Sequence, residues 1–256
     1  TGTKPQGMGW IEDLKVCKAE IDSYVAKTAD ASGRGKGNIE DQIRSINELI
    51  KGLEILTVQN LPVPLPPPGA PPYRNLKSEL VELNNELTRC LKLFSDSVSH
   101  GEKLIRDASN DLKTETFNYL VSFLMSFSSR TATRDRLHIF TTNYDRIIET
   151  GAEIAGLRLI DRFVGTIAPI FRSSRLEVDY HYNPPGIRGE PRYLEGVARF
   201  TKLHGSLDWY TTEGAIRRFG LPFGASSVEP FLQVEAAGAA NYHQLMIYPN
   251  SVKDRE

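Results

Sequence analysis

The chain has 256 residues, enough for one large domain or one domain with a sizeable insertion, and is 40% apolar and 25% charged, as ordinary globular proteins are. Its 31 basic and 32 acidic residues leave a formal net charge of −1, which excludes an overall electrostatic pull toward nucleic acid or a membrane while leaving local patches open. The only cysteines, Cys17 and Cys90, exclude a four-cysteine zinc site within the chain and argue against a disulfide framework. So few cysteines make a reducing, cytoplasmic setting the expectation, and no apolar run in the sequence approaches the length of a membrane span.

From Trp10 to about Ala31, apolar residues at Ile11, Leu14, Ile21, Tyr24 and Val25 predict a helix. The glycines of Gly33-Arg-Gly-Lys-Gly37 break it; the segment lacks both the spacing and the Lys-Ser/Thr pair of a P-loop and reads as a plain loop. Ile39, Ile43, Ile46, Ile50 and Leu53 lay one apolar stripe along a second helix, over residues 38–56. Leu76, Leu80, Leu83, Leu87, Leu91 and Phe94 repeat the device. Between these helices, seven prolines from Pro62 to Pro72 predict an extended stretch, because proline locks φ and removes a donor; it reads as a stiff connector ahead of a polyproline ligand for a partner. Residues 104–125 predict a further long helix.

Strands are expected only from residue 137 onward. Arg136-Leu-His-Ile-Phe-Thr-Thr-Asn-Tyr-Asp145 is a short apolar run that breaks into polar residues. The helix that follows carries Ile147, Ile148, Ala152, Ile154 and Ala155. Strand, polar turn and helix make the βα unit of an α/β sheet, and ligands bind at the carboxyl ends of such strands. Leu157 to Ile160 predicts another strand, Asn183 to Gly189 a loop, and Tyr210 to Gly220 a hairpin turning at Glu213-Gly214. The stretch from Gly220 to Tyr242 has no clear periodicity, and Leu245 to Pro249 reads as a strand. An opening on a turn-rich loop and a close on a charged tail suggest a fragment of a larger sheet.

Phe200-Thr-Lys-Leu-His-Gly-Ser-Leu-Asp-Trp209 is the second β-prone run that ends abruptly in small and polar residues. Two such strand ends could present Asn143 and His204 to one crevice. Asn143 offers a donor and an acceptor without charge, suited to orienting a sugar hydroxyl or a water. His204, before a glycine, reads on its own more readily as a structurally bonded histidine than as a general base; Asp145 reads equally as a ligand contact or as a helix cap.

Together, Thr141-Thr-Asn-Tyr-Asp145 and Lys202-Leu-His-Gly-Ser-Leu-Asp-Trp209 resemble the sirtuin superfamily, and most of all the bacterial sirtuin-like domains of antiphage defence. Gly2-Thr-Lys-Pro-Gln-Gly-Met-Gly9 resembles that family's opening glycine-rich loop, and Ile247-Tyr-Pro249 its strand and turn after the second motif. The resemblance implies a Rossmann-like parallel sheet with a large helical insertion. Residues 1–10 and 131–256 would form the NAD-binding domain, truncated at both ends. Residues 11–130, with the proline-rich connector at 61–72, would form the insertion. It further implies an NAD hydrolase that releases nicotinamide and ADP-ribose, as a defence effector that depletes NAD. Asn143 would hold the attacking water or the ribose, His204 would take a proton, and Asp145 would contact the nicotinamide side or brace the loop. Gly2 and Thr3 would approach the phosphates, with Thr142, Tyr144, Gly205 and Ser206 shaping the pocket. A homo-oligomer and an ATPase or Argonaute-like partner are also implied. The zinc-bearing sirtuin deacylases carry CxxC pairs that this chain lacks, so no zinc is expected and hydrolysis is favoured. Deacylation of lysine and a non-catalytic NAD or ADP-ribose sensor remain the alternatives.

Overall fold

A computed structural model describes residues 9–58, 75–128, 136–174, 178–183, 185–186, 192–234 and 240–247. The glycine-rich opening, the proline-rich connector and the end of the chain, where Gly2, Thr3 and the Tyr248-Pro249 part of the expected last strand fall, lie outside them.

Four helices come first: α1 (Lys18–Ala31), α2 (Ile39–Val58), α3 (Leu76–Arg106) and α4 (Asn110–Ser128). The stripe on α2 buries Ile39, Ile43, Ile46 and Ile50 against Leu83, Leu87, Leu91 and Phe94 of α3. A reciprocal cap starts α2: the Asn38 side chain accepts from the Asp41 backbone N–H at 3.0 Å, and Asp41 accepts from that of Asn38 at 3.1 Å. On α3, the Asn75 side chain accepts from the Lys77 N–H at 2.9 Å.

Two helix boundaries differ from expectation. The helix predicted from Trp10 begins only at Lys18, because the segment before it is pinned by side chains instead of by helical bonds. Gln42 accepts from the Ile11 N–H and donates to the Ile11 carbonyl, while Glu86 accepts from the Lys15 N–H. Ile11 and Leu14 are buried, but from an irregular segment. The helix predicted over 104–125 is split: α3 runs on to Arg106, and residues 107–109 break the chain before α4. Ser109, a residue type that competes for backbone donors, accepts from the Leu112 N–H at 3.4 Å.

The rest of the described chain is strand-rich. Its elements are β1 (Leu137–Thr141), α5 (Ile147–Ile154), β2 (Arg158–Ile160), β3 (Phe163–Val164), β4 (Ile170–Phe171), β5 (His181–Tyr182), β6 (Arg192–Tyr193), β7 (Val197–Lys202), β8 (Trp209–Thr212) and β9 (Ala215–Arg218). A three-stranded parallel sheet has the order β1-β7-β2, with α5 as the crossover from β1 to β2. An antiparallel sheet has the order β3-β4-β9-β8, and β5 pairs with β6. The β8–β9 turn falls at Glu213 and Gly214, both with positive φ (50° and 73°), as a primed two-residue hairpin turn requires. Leu245 makes a single bridge to Tyr210 and does not open a strand; Leu245 and Ile247 are instead buried one after the other in the core.

The architecture is thus mixed α/β, with a parallel sheet and several helices, compatible with a Rossmann-like fold. Among the described residues no helix is long and apolar enough to cross a membrane. One large core joins α1, α2 and α3 to Tyr144, Leu207, Leu221, Val228, Tyr242, Leu245 and Ile247. A smaller core lies between α4, α5 and the parallel sheet, where Gly151 lets Leu120 come so close that a Cβ would sit 2.4 Å from its Cδ2.

A buried ion pair ties the helical layer to the β1–α5 loop. Glu102 on α3 is fully buried and accepts from the backbone N–H of Arg146 at 2.8 Å, from the Arg146 guanidinium and from the N–H of Gly224 at 3.1 Å. Arg146 also donates to the carbonyls of Leu221 and Pro222. Removing one member of such a pair strands a buried charge, at about 3–5 kcal/mol. Glu102→Ala is therefore expected to lower unfolding stability by that amount in denaturant titration, and an unchanged midpoint would refute the pairing.

Candidate functional site

Parallel register decides where the two motifs meet. Thr141 is level with Lys202, so β1 and β7 release their polar loops side by side at the carboxyl edge of the sheet. In the first loop the Asn143 N–H donates to Thr141 Oγ1 at 3.1 Å, a local turn that leaves the Asn143 amide exposed. Asp145 accepts from the Ile147 N–H at 3.1 Å and so helps to open α5.

The two loops are bonded to each other. The Leu207 N–H donates to the Tyr144 carbonyl at 3.0 Å, and the Ser206 hydroxyl reaches the same oxygen at 3.4 Å. Beneath both lies Lys202, whose side chain is 1% exposed. Its ammonium donates to the Asp145 carbonyl, to Glu149 at 2.8 Å and to the Ser206 hydroxyl at 2.9 Å. Burial pushes the Glu149 carboxyl above the usual carboxylate range, against the pull of Lys202.

A cleft of about 460 Å³ opens above these loops, within the size range of ligand sites. Thr142, Asn143, Tyr144, Asp145 and His204 all line it. The structure therefore brings together five of the residues singled out in sequence. It does not bring Ser206 there: that side chain is fully buried, bonded to Lys202. Gly205 borders a separate hollow of about 240 Å³ beside Trp209 and Arg162.

The far wall comes from the helical layer, which carries neither motif. Asn38 and Glu40 at the start of α2, and Phe94, Ser97 and Gly101 on α3, complete the cleft. Glu40 accepts from the Tyr144 hydroxyl at 2.8 Å. Burial, then the neighbouring Glu40 charge, pushes the Tyr144 phenol far up, so it remains a donor. Among the described residues lining the cleft there are carboxylates, Glu40, Glu102 and Asp145, but no lysine or arginine. With Glu102 paired to Arg146, the charge left facing the cleft is that of Glu40 and Asp145.

Sequence reasoning missed Glu40, Lys202 and the Glu102–Arg146 pair. Lys202 had a signal: a lysine closing an otherwise β-prone run, at a position where the strand alternation points inward. Glu40 had none, since an acid in the first turn of a helix is explained by the helix dipole alone. Among the described residues no group of three histidine, cysteine or carboxylate side chains is placed to hold a metal ion, and no disulfide joins Cys17 to Cys90. Neither a scan of family models nor a comparison with curated proteins finds a match to this chain.

Backbone geometry aims His204. Gly205 has φ +98°, and a Cβ there would lie 1.8 Å from the Met246 carbonyl oxygen. Both the left-handed conformation and the contact forbid a side chain. Gly205→Ala is expected to destabilise the protein by at least about 1–3 kcal/mol, the cost of a strained backbone residue, read as a lower melting temperature. An unchanged melting temperature would mean that the loop has another conformation in solution.

Proposed function

We propose that the cleft binds the nicotinamide-ribose end of NAD and hydrolyses the bond between them. The parallel sheet then belongs to a Rossmann-like nucleotide-binding sheet with α5 as a crossover. The observation that carries the reading is the meeting of Asn143 and His204 in one cleft at the carboxyl edge of parallel strands. The charge of the cleft supports it. The nicotinamide ring of NAD is cationic, and as its bond to ribose C1′ breaks the positive charge moves onto the sugar. Glu40 and Asp145 suit both states, and preorganised charge of this kind is the largest contribution in many enzymes.

In this reaction the C1′–N bond breaks with its electron pair going to the ring nitrogen, which leaves as neutral nicotinamide. Water adds to C1′ and gives its proton to His204, so that NAD and water become ADP-ribose, nicotinamide and a proton. Asn143 orients the water or a ribose hydroxyl through an amide that donates and accepts at once. Asp145 braces the loop through its bond to the Ile147 N–H and adds negative charge near the leaving group. Tyr144 and Thr142 complete the wall on the same loop.

The purified chain is expected to release nicotinamide from NAD with no acylated peptide present. Loss of a general base costs on the order of 100- to 10,000-fold, so His204→Ala should fall by at least about 100-fold, or roughly 3 kcal/mol of barrier. Asn143→Ala should fall comparably while binding of NAD, measured by calorimetry, persists. Near-normal turnover in either variant would overturn these roles, and release only with an acylated peptide would favour deacylation.

A further inference from the structure

Glu40 does more than complement the dipole at the start of α2. Its Oε1 accepts from the Tyr144 hydroxyl at 2.8 Å and stands 3.9 Å from His204 Nδ1. One carboxylate oxygen thus faces a side chain from each motif loop. Its orientation is constrained from several sides. The Tyr144 phenol stays protonated and packs edge-on against Phe94, with ring centroids 5.4 Å apart, and its ring lies 6.1 Å from that of His204. On the helix side, the reciprocal Asn38–Asp41 cap fixes the turn that carries Glu40.

We infer that Glu40 is a positioning residue for His204, supplied by the helical layer; as a role in catalysis this rests on the hydrolase reading above. A carboxylate beside Nδ1 favours the neutral imidazole that carries its proton on Nδ1. Nε2 then keeps its lone pair and can accept a proton in the cleft. Once His204 has taken the proton from water, its positive charge stands beside the negative Glu40 and is stabilised there. Tyr144 holds the carboxylate in place, so one residue of the first motif helps to set the histidine of the second.

The test combines a spectroscopic signature with kinetics on the full chain. Nitrogen-15 NMR of the histidine ring distinguishes the two neutral tautomers without any substrate. Wild-type His204 is expected as the Nδ1–H form, and Glu40→Ala should return it toward the Nε2–H form that imidazole prefers in water. Glu40→Gln, which keeps an acceptor for Tyr144, should lower kcat for nicotinamide release roughly tenfold or more with KM within about twofold. Its melting temperature should stay near that of the wild type. An Nε2–H tautomer in the wild type, or an unchanged kcat in Glu40→Gln, overturns the inference while leaving the hydrolase reading intact. Absence of nicotinamide release from the wild type, with the Nδ1–H tautomer still dependent on Glu40, removes the reaction and keeps the pairing.

Discussion

The geometry of the site depends on one buried ammonium. Lys202 closes β7 with its side chain inside the protein, where an unpaired charge would be very unfavourable. Three acceptors compensate it: the Asp145 carbonyl, the Ser206 hydroxyl and the Glu149 carboxylate. They belong to the first loop, the second loop and the helix between β1 and β2. The charge is satisfied only when all three elements are in place, so the requirement to pair it becomes a constraint on the separation of the loops. A neutral residue could fill the same volume, but it would not specify the same arrangement. The second oxygen of Glu149 and one oxygen of Asp208 are buried without a hydrogen-bond partner among the described residues.

The helical layer imposes a second constraint. Its stripes pack into the same core as Tyr144 and Leu207, so α2 and α3 are fixed relative to the loops by apolar burial. Glu102 adds direction to that packing, because its bonds to the backbone and guanidinium of Arg146 set the point where α5 begins. The cleft therefore has two walls of different origin: polar strand ends on one side, and the first turn of α2 with the C-terminal part of α3 on the other.

How much of this could be read from the sequence depended on the range of the interactions. Stripes at helical spacing predicted α2 and α3, Glu213-Gly214 predicted the hairpin, and the two runs ending in polar residues predicted β1 and β7, because each signal is local. The start of α1 was misread because Ile11 and Leu14 keep a helix-like spacing while Gln42 and Glu86, distant in sequence, satisfy the backbone around them. The break between α3 and α4 has only a weak local signal, Ser109, whose side chain accepts from the Leu112 N–H at the start of α4 inside a favourable pattern. Asn143 and His204 stood out as polar residues at strand ends. Glu40 could not, since its meaning comes from Tyr144, about a hundred residues further along the chain.

The segment around Leu245, expected as a strand, has a different part in the structure. Leu245 and Ile247 anchor it in the core, and between them the Met246 carbonyl is pressed against the Cα of Gly205. The Met246 N–H donates to the Trp209 carbonyl at 3.0 Å, which ties the segment to the start of β8. A glycine at 205 lets this backbone pass directly beneath the second loop, and its positive φ turns the chain sharply after His204. The loop is thus held by backbone contact at Gly205, while Glu40 at the start of α2 stands 3.9 Å from the His204 ring. Loops are usually the mobile parts of a protein, and a pair of reacting groups on two loops would lose precision through that freedom. Here Lys202, the Tyr144 carbonyl and Met246 tie the two loops to each other and to the segment beneath them, the kind of constraint that the proposed pairing of Asn143 and His204 requires.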